Sequence, residues 1–380
     1  MGYKVALIFG GRSPESDISV ITAMQTLAQL KETDCRVVPF YAYEGDFYTD
    51  GVDELSAFTP FVPAKHLKTF LLHGAFYSVR KNKLKKEFRP DLALLCCHGG
   101  EGENGVIQGL LDFNGITYCS SGVLGSAVAM DKAVSKSIFE NMLMNVIRHV
   151  TVFRREYERD ADGAAEKLES ALEYPMIVKP ACQGSSIGIR TAEDRPSLLA
   201  ALDTAFEYDD KALVEEKLVD FVEVNCAAFR RGGEIVVSET EQPLGAGDVL
   251  TFEDKYGGGG KMSGGGHKIP AEIGALGEIV RANTERVYRE LELGGIVRVD
   301  FLVDKGRSKV YINEINTVPG SLAFYLFEPL GIDFGTLLEA QMDEAAARAR
   351  EGGRRKTFKS RVLEYYGKGV KTFRGCKTDF

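Results

Sequence analysis

The chain has 380 residues, more than one compact core usually holds, so two or three domains are expected. Its composition is that of an ordinary globular protein, and its net charge of −8 argues against general nucleic-acid binding. No apolar run approaches the roughly 20 residues of a membrane span, and the seven cysteines, without a CxxC pair, predict neither a zinc site nor a disulfide framework. The N-terminus reads as a strand entering a glycine turn rather than a signal peptide, so we expect a cytoplasmic protein.

Strands and helices alternate over the first third of the chain. Residues 4–11 read as a buried parallel strand that ends in Gly-Gly, and residues 91–97 as a second one, followed by HGGEGENG at 98–105. This alternation predicts an α/β domain over residues 1–130. Ligands of such sheets bind at the carboxyl ends of the strands, where both glycine turns fall.

The remainder mixes helices and strands in α+β units. We place a central unit at 131–212 and a last domain at 213–350, which holds a glycine-saturated loop, a long helix and a hairpin. Residues 351–380 form a basic extension, either docked or frayed.

Two β-rich runs around a turn at residues 304–308 predict a hairpin. Because strand side chains alternate between faces, Arg298 and Asp300 share one face of the first strand, and Glu314 and Asn316 share one face of the second. A fold about the middle of the turn places Arg298 opposite Glu314 and brings all four side chains together.

These four side chains suit a metal and a phosphate. Two carboxylates and an amide oxygen are ligands that Mg²⁺ accepts, and the arginine suits a planar oxyanion or a phosphoryl group. The alternative is a surface hairpin with scattered charges.

A second phosphate signal lies at QGSSIG (183–188), which follows a strand carrying Lys179. Small residues let backbone N–H groups close over anionic oxygens, although an ordinary turn has the same composition. The chain contains neither a Walker A motif nor a GxGxxG motif, so a nucleotide would have to be held in another way.

Taken together, these pieces resemble the D-alanine–D-alanine ligase family of the ATP-grasp superfamily. Eight segments carry the resemblance in family order, over about residues 3–345: FGGRSPESDIS (9–19), HGGEGENGVIQGLL (98–111), SGVLGSAVAMDK (121–132), VKPACQGSSIGI (178–189), LVEEKLVDFVEVN (213–225), FEDKY (252–256), VRVDF (297–301) and INEINTVPG (312–320). The resemblance implies three domains: a Rossmann-like (preATP-grasp) domain at 1–130 and two ATP-grasp subdomains, central and C-terminal, with ATP between them.

The resemblance also implies the residues that bind ATP and metal. The ATP-binding set is Lys132, Lys179, Ser185, Ser186, Glu215, Glu216, Lys217, Glu223 and Lys255, with either Glu215 or Glu216 at the adenine. The metal ligands are Asp300, Glu314 and Asn316, which agrees with the hairpin argument, and they imply two Mg²⁺ ions or, alternatively, Mn²⁺.

The substrate residues follow in the same way. Glu15, Ser185, Tyr256 and Arg298 resemble the catalytic set, with Glu15 anchoring the first substrate's ammonium. His98, Gly320, Ser321 and Tyr325, with Glu15 and Arg298, resemble the residues that line the amino-acid site. Glu15 could instead be a helix N-terminal acid, and His98 a buried structural histidine. Lys255 and Tyr256 lie on the loop expected to cover the site and exclude water.

The implied reaction is ATP-dependent ligation of two amino acids through an acyl phosphate, most simply D-alanine with D-alanine for peptidoglycan precursors. Its partners would be small-molecule amino acids, with no nucleic acid and no membrane, and the family is commonly dimeric. Cations must neutralise the transferring phosphoryl group, and no protein nucleophile is needed.

One stretch departs from the family pattern. Relatives place a second serine, which meets the carboxylate of the second substrate, where this chain has Tyr325 after Phe324. Ser321 or Tyr325 could still donate a hydrogen bond there. A related ligase with a different second substrate is therefore the main alternative, ahead of a nucleotide-binding regulator and of a dinucleotide-dependent oxidoreductase.

Overall fold

The protein is described from a computed structural model, which covers residues 2–244, 266–306, 308–352, 360 and 362–366. The chain divides into two compact units, residues 1–346 and 347–380. The first unit contains three sheets that follow one another along the sequence, and the predicted combination of α/β and α+β structure is confirmed.

The first sheet has eight strands in the order β6-β5-β4-β3-β2-β1-β7-β8. Its strands are β1 (Lys4–Gly10), β2 (Arg36–Tyr43), β3 (Asp46–Thr49), β4 (Leu67–Leu72), β5 (Ala75–Arg80), β6 (Lys83–Phe88), β7 (Leu92–Leu95) and β8 (Thr117–Cys119). The pairs β1–β2, β1–β7 and β7–β8 are parallel. The carboxyl ends of β1 and β7 therefore meet at one edge, and each runs into a glycine turn there.

The helices of this part follow the strands. They are α1 (Ser16–Leu30), α2 (Gly100–Glu103), α3 (Val106–Phe113) and α4 (Val123–Met130), with short 3-10 helices at Leu55–Ala57 and Pro63–Lys65. Cys96 and Cys97 follow β7 and are fully buried.

The second sheet is antiparallel, in the order β11-β10-β12-β9. Its strands are β9 (His149–Phe153), β10 (Met176–Pro180), β11 (Arg190–Ala192) and β12 (Lys211–Glu216), and the helices around it are α5 (Lys132–Asn141), α6 (Arg154–Arg159), α7 (Ala161–Ala171) and α8 (Arg195–Phe206). The Asp131 side chain caps α5 by accepting from the N–H groups of Ala133 and Val134, both at 3.1 Å. This cap fixes the start of the helix that carries Lys132.

The third sheet is also antiparallel, in the order β15-β14-β13-β16-β17. Its strands are β13 (Phe221–Arg231), β14 (Glu234–Pro243), β15 (His267–Lys268), β16 (Val297–Asp304) and β17 (Lys309–Asn316). The remaining helices are α9 (Leu276–Glu290), α10 (Phe334–Gly352) and α11 (Val362–Tyr366), with 3-10 helices at Gly320–Leu326 and Glu328–Leu330.

The hairpin forms as predicted, but its register differs. Arg298 pairs with Asn316, and Asp300 pairs with Glu314, so the prediction that Arg298 lies opposite Glu314 is wrong. A bulge accounts for one residue of this difference: after Asp300 the next pair is Phe301 with Ile312, which leaves Asn313 without a partner in the ladder. The other residue comes from the turn, because Asp304 pairs with Lys309, whereas a fold centred on residue 306 would pair Asp304 with Ser308. The four polar side chains still share a face, because the total difference is two residues and side chains alternate with period two.

None of the described helices combines the length and the apolar character that a transmembrane segment needs.

Gly102 in α2 is predicted to be sterically essential. A Cβ there would lie 2.3 Å from Cys97 Cβ and 2.8 Å from the Cys97 carbonyl oxygen, so Gly102→Ala must displace buried backbone. We expect a loss of about 1–3 kcal/mol of stability, measured by thermal unfolding followed by circular dichroism.

Gly277→Ala is the matched control, because a Cβ at this helical position meets only Ile273, at 4.0 Å. It should keep or slightly raise the melting temperature, since alanine favours helices. Equal melting temperatures for the two variants would contradict the steric argument.

Candidate active site

Two cavities lie side by side against the β16–β17 hairpin. The first is lined by the second and third sheets, and the second is lined by the third sheet and by loops after β1 and β7. Both are lined by Ser185, Glu223, Asn225, Asp300 and Glu314. A molecule in one cavity can therefore contact a molecule in the other at these residues.

The first cavity combines an apolar wall with a cluster of charges. Its apolar lining consists of Ile147, Ile177, Ile189, Leu218, Phe221, Phe301 and Leu302. Its polar lining includes Lys132, Lys179, Gln183, Ser185, Ser186 and Glu314. A nucleotide needs both kinds of lining, because its base is flat and apolar and its phosphate chain is charged. Residues 215–218, where the adenine contact is predicted, also line the cavity.

Glu215 lies between two buried lysines. Its carboxylate pairs with Lys179 and, at 2.7 Å, with Lys136, whose side chain is completely buried. Burial by itself would raise the pKa of Glu215, but the two ammonium groups hold that pKa at about 2. The Glu215 side chain therefore fixes Lys179 at the cavity wall. Glu216 instead pairs with Arg148 at 2.9 Å.

Lys132 connects helix α5 to the hairpin. Its ammonium lies 3.2 Å from Glu314 Oε2 and donates to the Gln183 carbonyl oxygen at 2.6 Å. Burial lowers the pKa of Lys132, but the Glu314 carboxylate more than offsets this, so the pKa lies above its ordinary value. Lys132 remains a cation where a phosphate could replace Glu314 as its partner.

The 181–189 loop brings Ser185 to the junction of the cavities and Ser186 to the first cavity. Ser185 and Ser186 have φ of 51° and 59°, a conformation that non-glycine residues rarely adopt. The Ser185 hydroxyl donates to Glu15 Oε1, which joins this loop to the turn after β1.

Glu15 is held in a space that only glycines leave open. A Cβ at Gly99 would lie 2.5 Å from Glu15 Oε2, and one at Gly184 would lie 2.6 Å from the same atom. Gly99 also has a φ of +65°. Gly99 and Gly184, which lie in two different predicted motifs, therefore leave room for the Glu15 carboxylate. That carboxylate lines the second cavity.

Arg298 forms a two-bond pair with Asp300, with Nε–Oδ1 at 2.6 Å and Nη2–Oδ2 at 2.8 Å. Asn316 Nδ2 donates to the same carboxylate at 3.1 Å. Burial lowers the pKa of Arg298, but Asp300 holds it well above its ordinary value, so the guanidinium is permanently charged.

The predicted metal ligands fit a hard cation by their chemistry. Asp300 and Glu314 line both cavities, and Asn316 lines the second. The two carboxylates already attract cations, namely Arg298 and Lys132. Across the part of the chain that the structure describes, no group of three or more His, Cys, Asp and Glu side chains could hold a metal; the predicted set has two such residues and an amide.

His98 lies between α1 and the segment after β17. Its Nε2 is 2.8 Å from the hydroxyl of Thr22, and that hydroxyl also accepts from the Ser321 N–H at 3.1 Å. Burial lowers the pKa of His98 to about 4. The ring is therefore neutral at pH 7 and positions Thr22 and, through it, Ser321.

Glu103 was not predicted as a site residue, yet it lines the second cavity. It accepts from the N–H groups of Gly99 and Val318, both at 2.8 Å. Burial, with the nearby Glu15 carboxylate, raises the pKa of Glu103 to about 7.

The segment after Pro319 has an unusual backbone. Ser321, Leu322 and Ala323 all have φ near +50°, and Leu322 and Ala323 are buried. The turn presents Phe324 and Tyr325 to the second cavity, together with Gly320 and Ser321. Tyr325 donates to Glu241 Oε2 at 3.1 Å.

Most of the predicted site residues therefore line one or both cavities. Two others, Lys255 and Tyr256, lie outside the described residues. Sequence reasoning missed Lys136, Glu103 and Glu241. Lys136 is four residues after Lys132 and so on the same helix face, a signal that was available, whereas Glu241 meets Tyr325 only through tertiary contact.

The chain matches two family descriptions, "D-ala D-ala ligase N-terminus" over residues 4–121 and "D-ala D-ala ligase C-terminus" over residues 138–343. It is 34% identical to a D-alanine–D-alanine ligase of Thermosipho africanus, covering 88% of this chain and 91% of that one. It is also 34% identical to one of Chloroherpeton thalassium, covering 93% and 99%.

Solved structures give the same result. A D-alanine–D-alanine ligase of Helicobacter pylori superposes with a TM-score of 0.72 at 26% identity, covering 89% of this chain and 98% of that one. The VanG D-Ala:D-Ser ligase of Enterococcus faecalis has a TM-score of 0.76 at 24% identity, covering 91% and 100%, and shares the fold.

The opposite pKa shifts of His98 and Glu103 predict opposing pH effects on stability. Folded His98 binds fewer protons than the unfolded residue between pH 4 and 6.5, so its contribution to the free energy of unfolding rises with pH. Folded Glu103 binds more protons between pH 4.5 and 7, so its contribution falls. Each effect is at most about 1.4 kcal/mol per pH unit.

Urea unfolding at pH 4.5, 5.5 and 6.5 separates the two groups. Relative to the unmodified protein, Glu103→Gln should gain stability as the pH rises, and His98→Asn should lose it. Parallel profiles for all three proteins would show that neither group titrates as described.

Proposed function

The chain belongs to the D-alanine–D-alanine ligase family, and from that premise we propose that it joins two amino acids, most simply D-alanine with D-alanine. The predicted family, the ATP-grasp fold class and the ATP-dependent ligase class are confirmed by the matches over most of the chain. The dipeptide product would serve as a peptidoglycan precursor. The protein itself would act in the cytoplasm as a homodimer.

One observation carries the proposal: the two cavities share Asp300, Glu314 and Ser185. ATP in the first cavity would direct its phosphates towards the charged residues at this junction. An amino acid in the second cavity, with its ammonium at Glu15, would direct its carboxylate towards the same place. Reacting groups held together in this way do not need a protein nucleophile.

The reaction proceeds in two steps. A carboxylate oxygen of the first amino acid attacks the γ-phosphorus of ATP, the bond to the β–γ bridging oxygen breaks, and ADP leaves. The uncharged amine of the second amino acid then attacks the acyl carbon of the acyl phosphate. The carbon–oxygen bond breaks, inorganic phosphate leaves, and the amine nitrogen loses a proton to complete the amide.

The chain's own cations stabilise these steps. Lys132 and Lys179 bind the phosphates, and Arg298 faces the charge that develops on the acyl phosphate and on the tetrahedral species. Their carboxylate partners hold them in position before ATP arrives, so little reorganisation is needed. Glu15 orients the first amino acid, and Ser185 fixes the loop over the junction.

Asp300, Glu314 and Asn316 would hold Mg²⁺. Bound there, the ion would neutralise phosphate charge on ATP.

A different second substrate is the alternative, and one observation favours it. Tyr325 and Phe324 line the second cavity with bulky aromatic side chains, and Tyr325 donates a hydrogen bond there to Glu241. The first step would be unchanged, and only the identity of the amine would differ.

Glu314→Ala tests the metal and phosphate site. Loss of this carboxylate removes a proposed metal ligand and the partner of Lys132, so ADP formation should fall by at least about a thousandfold. The measurement is coupled detection of ADP with ATP, Mg²⁺ and D-alanine. Glu285→Ala is the control, because Glu285 forms an exposed ion pair with Arg289 on α9; unchanged turnover in Glu314→Ala would refute the assignment.

An amino-acid panel scored for ATP-dependent phosphate release and product mass identifies the substrates. D-Alanine alone should release phosphate if the simplest reading holds. The absence of release with every D-amino acid would overturn the D-amino-acid proposal.

A further inference from the structure

Glu241 is a buried carboxylate in the second cavity that the ligation steps leave without a role. It lies on β14, and the residue is only 1% exposed. It lines the cavity beside Tyr325, His267 and Arg298.

The partners of Glu241 are neutral. Its Oε2 accepts from Asn225 Nδ2 at 2.8 Å and from the Tyr325 hydroxyl at 3.1 Å. Within the described ranges, no hydrogen bond reaches Oε1 and no lysine, arginine or histidine forms an ion pair with Glu241. The nearby cation Arg298 is committed to Asp300 through two hydrogen bonds.

Tyr325 stays a donor to this carboxylate. Burial and the neighbouring Glu241 raise the pKa of Tyr325 well above its ordinary value, so the hydroxyl keeps its proton at neutral pH. The Arg298 charge acts on Glu241 only through space, and a buried carboxylate with two neutral donors and no ion pair of its own is costly. A ligand that brings a positive charge to Oε1 would remove that cost.

The walls around Glu241 are aromatic and packed. The His267 ring stacks on Tyr325 with centroids 5.7 Å apart, and the Phe324 ring stacks on Phe334 at 4.5 Å. These contacts restrict the movement of the Tyr325 and Phe324 side chains. The second substrate therefore meets a fixed aromatic wall next to the Glu241 carboxylate.

The other carboxylates of the cavity already have partners or roles. Glu15 serves the ammonium of the first amino acid, and Asp300 and Glu314 lie at the junction with the nucleotide. Glu223 belongs to the predicted ATP-binding set, and both oxygens of Glu103 accept from backbone N–H groups. The part of the cavity next to Glu241 is left for the second substrate.

Asn225 pairs with Asp300 on one neighbouring strand and with Glu241 on the other, so Glu241 lies two strands, about 10 Å, from Asp300. The reactive amine of the second substrate must face the junction, so a group at the other end of its side chain can reach Glu241.

We propose that the second substrate is an amine with a second cationic group, of the basic amino acid class, and that Glu241 is the specificity-determining residue that pairs with that group. Tyr325 is a positioning residue, because it acts through its hydrogen bond to Glu241. This inference rests on the proposed ligation and specifies its alternative form, in which the second substrate is not D-alanine.

The test compares D-ornithine with D-norvaline as acceptor, because the two differ only in the terminal amine. With D-alanine as donor and product mass to identify the dipeptide, kcat/KM for D-ornithine should exceed that for D-norvaline by about tenfold or more. A protein that uses D-norvaline or D-alanine as acceptor as well as or better than D-ornithine overturns the proposal.

Substitutions at Glu241 and Glu239 test whether Glu241 determines the preference for D-ornithine. Glu241→Gln keeps the shape and removes the charge, so the D-ornithine to D-norvaline ratio should fall to near one. Glu239→Gln removes a carboxylate two residues earlier on the same strand, where it pairs with Arg281 at 3.1 Å outside the cavity, and should keep the ratio. A ratio unchanged by Glu241→Gln excludes Glu241 as the determinant.

Tyr325→Phe gives a second, directional test that does not depend on the folding of Glu241→Gln. It removes one neutral donor from Glu241 and leaves the carboxylate in more need of a cation. The ratio should rise, and a fall towards one would contradict the role given to the Tyr325–Glu241 pair.

Hydroxylamine separates failure of this inference from failure of the ligation. It intercepts an acyl phosphate as a hydroxamate, without any acceptor amino acid. A D-alanine hydroxamate that depends on ATP, together with no preference for D-ornithine, overturns only the acceptor class. No hydroxamate from any amino acid overturns the ligation itself.

Discussion

The site depends on the pairing of buried charges between elements that are distant in sequence. Helix α5 carries Lys132 and Lys136 one turn apart; the first pairs with Glu314 of the third sheet and the second with Glu215 of the second sheet. Removal of one partner would leave a buried charge uncompensated, which is strongly destabilising. The same pairs hold Lys132 and Glu215, both residues of the proposed ATP site, in place, so one constraint serves both the fold and the proposed chemistry.

A second constraint is the close approach of loops from the first and second sheets. Glu15 contacts Ser185 across the junction, and Gly99 and Gly184 leave the space that this contact requires. The glycine motifs thus place a carboxylate beside the phosphate-side loop. The site needs no activated nucleophile, because the cavities bring the reacting groups together.

Sequence periodicity was enough to predict the hairpin and the shared face of its polar residues. It did not predict the register, because the bulge at Asn313 has no composition signal of its own. Glu241 could not be predicted either, since its contact with Tyr325 joins residues 84 positions apart. The pattern after Pro319 did indicate a departure from the family, and the structure supplies its physical form: a left-handed turn, an aromatic wall and a buried carboxylate.

The central claim is that the two cavities meet so that a substrate carboxylate takes the phosphoryl group of ATP. Transfer of label from D-alanine with both carboxylate oxygens as ¹⁸O tests this most directly, with the released phosphate analysed by mass spectrometry. Each phosphate released with dipeptide formation should carry one ¹⁸O atom. Phosphate without label would show that water, and not the carboxylate, receives the phosphoryl group, and would contradict this claim.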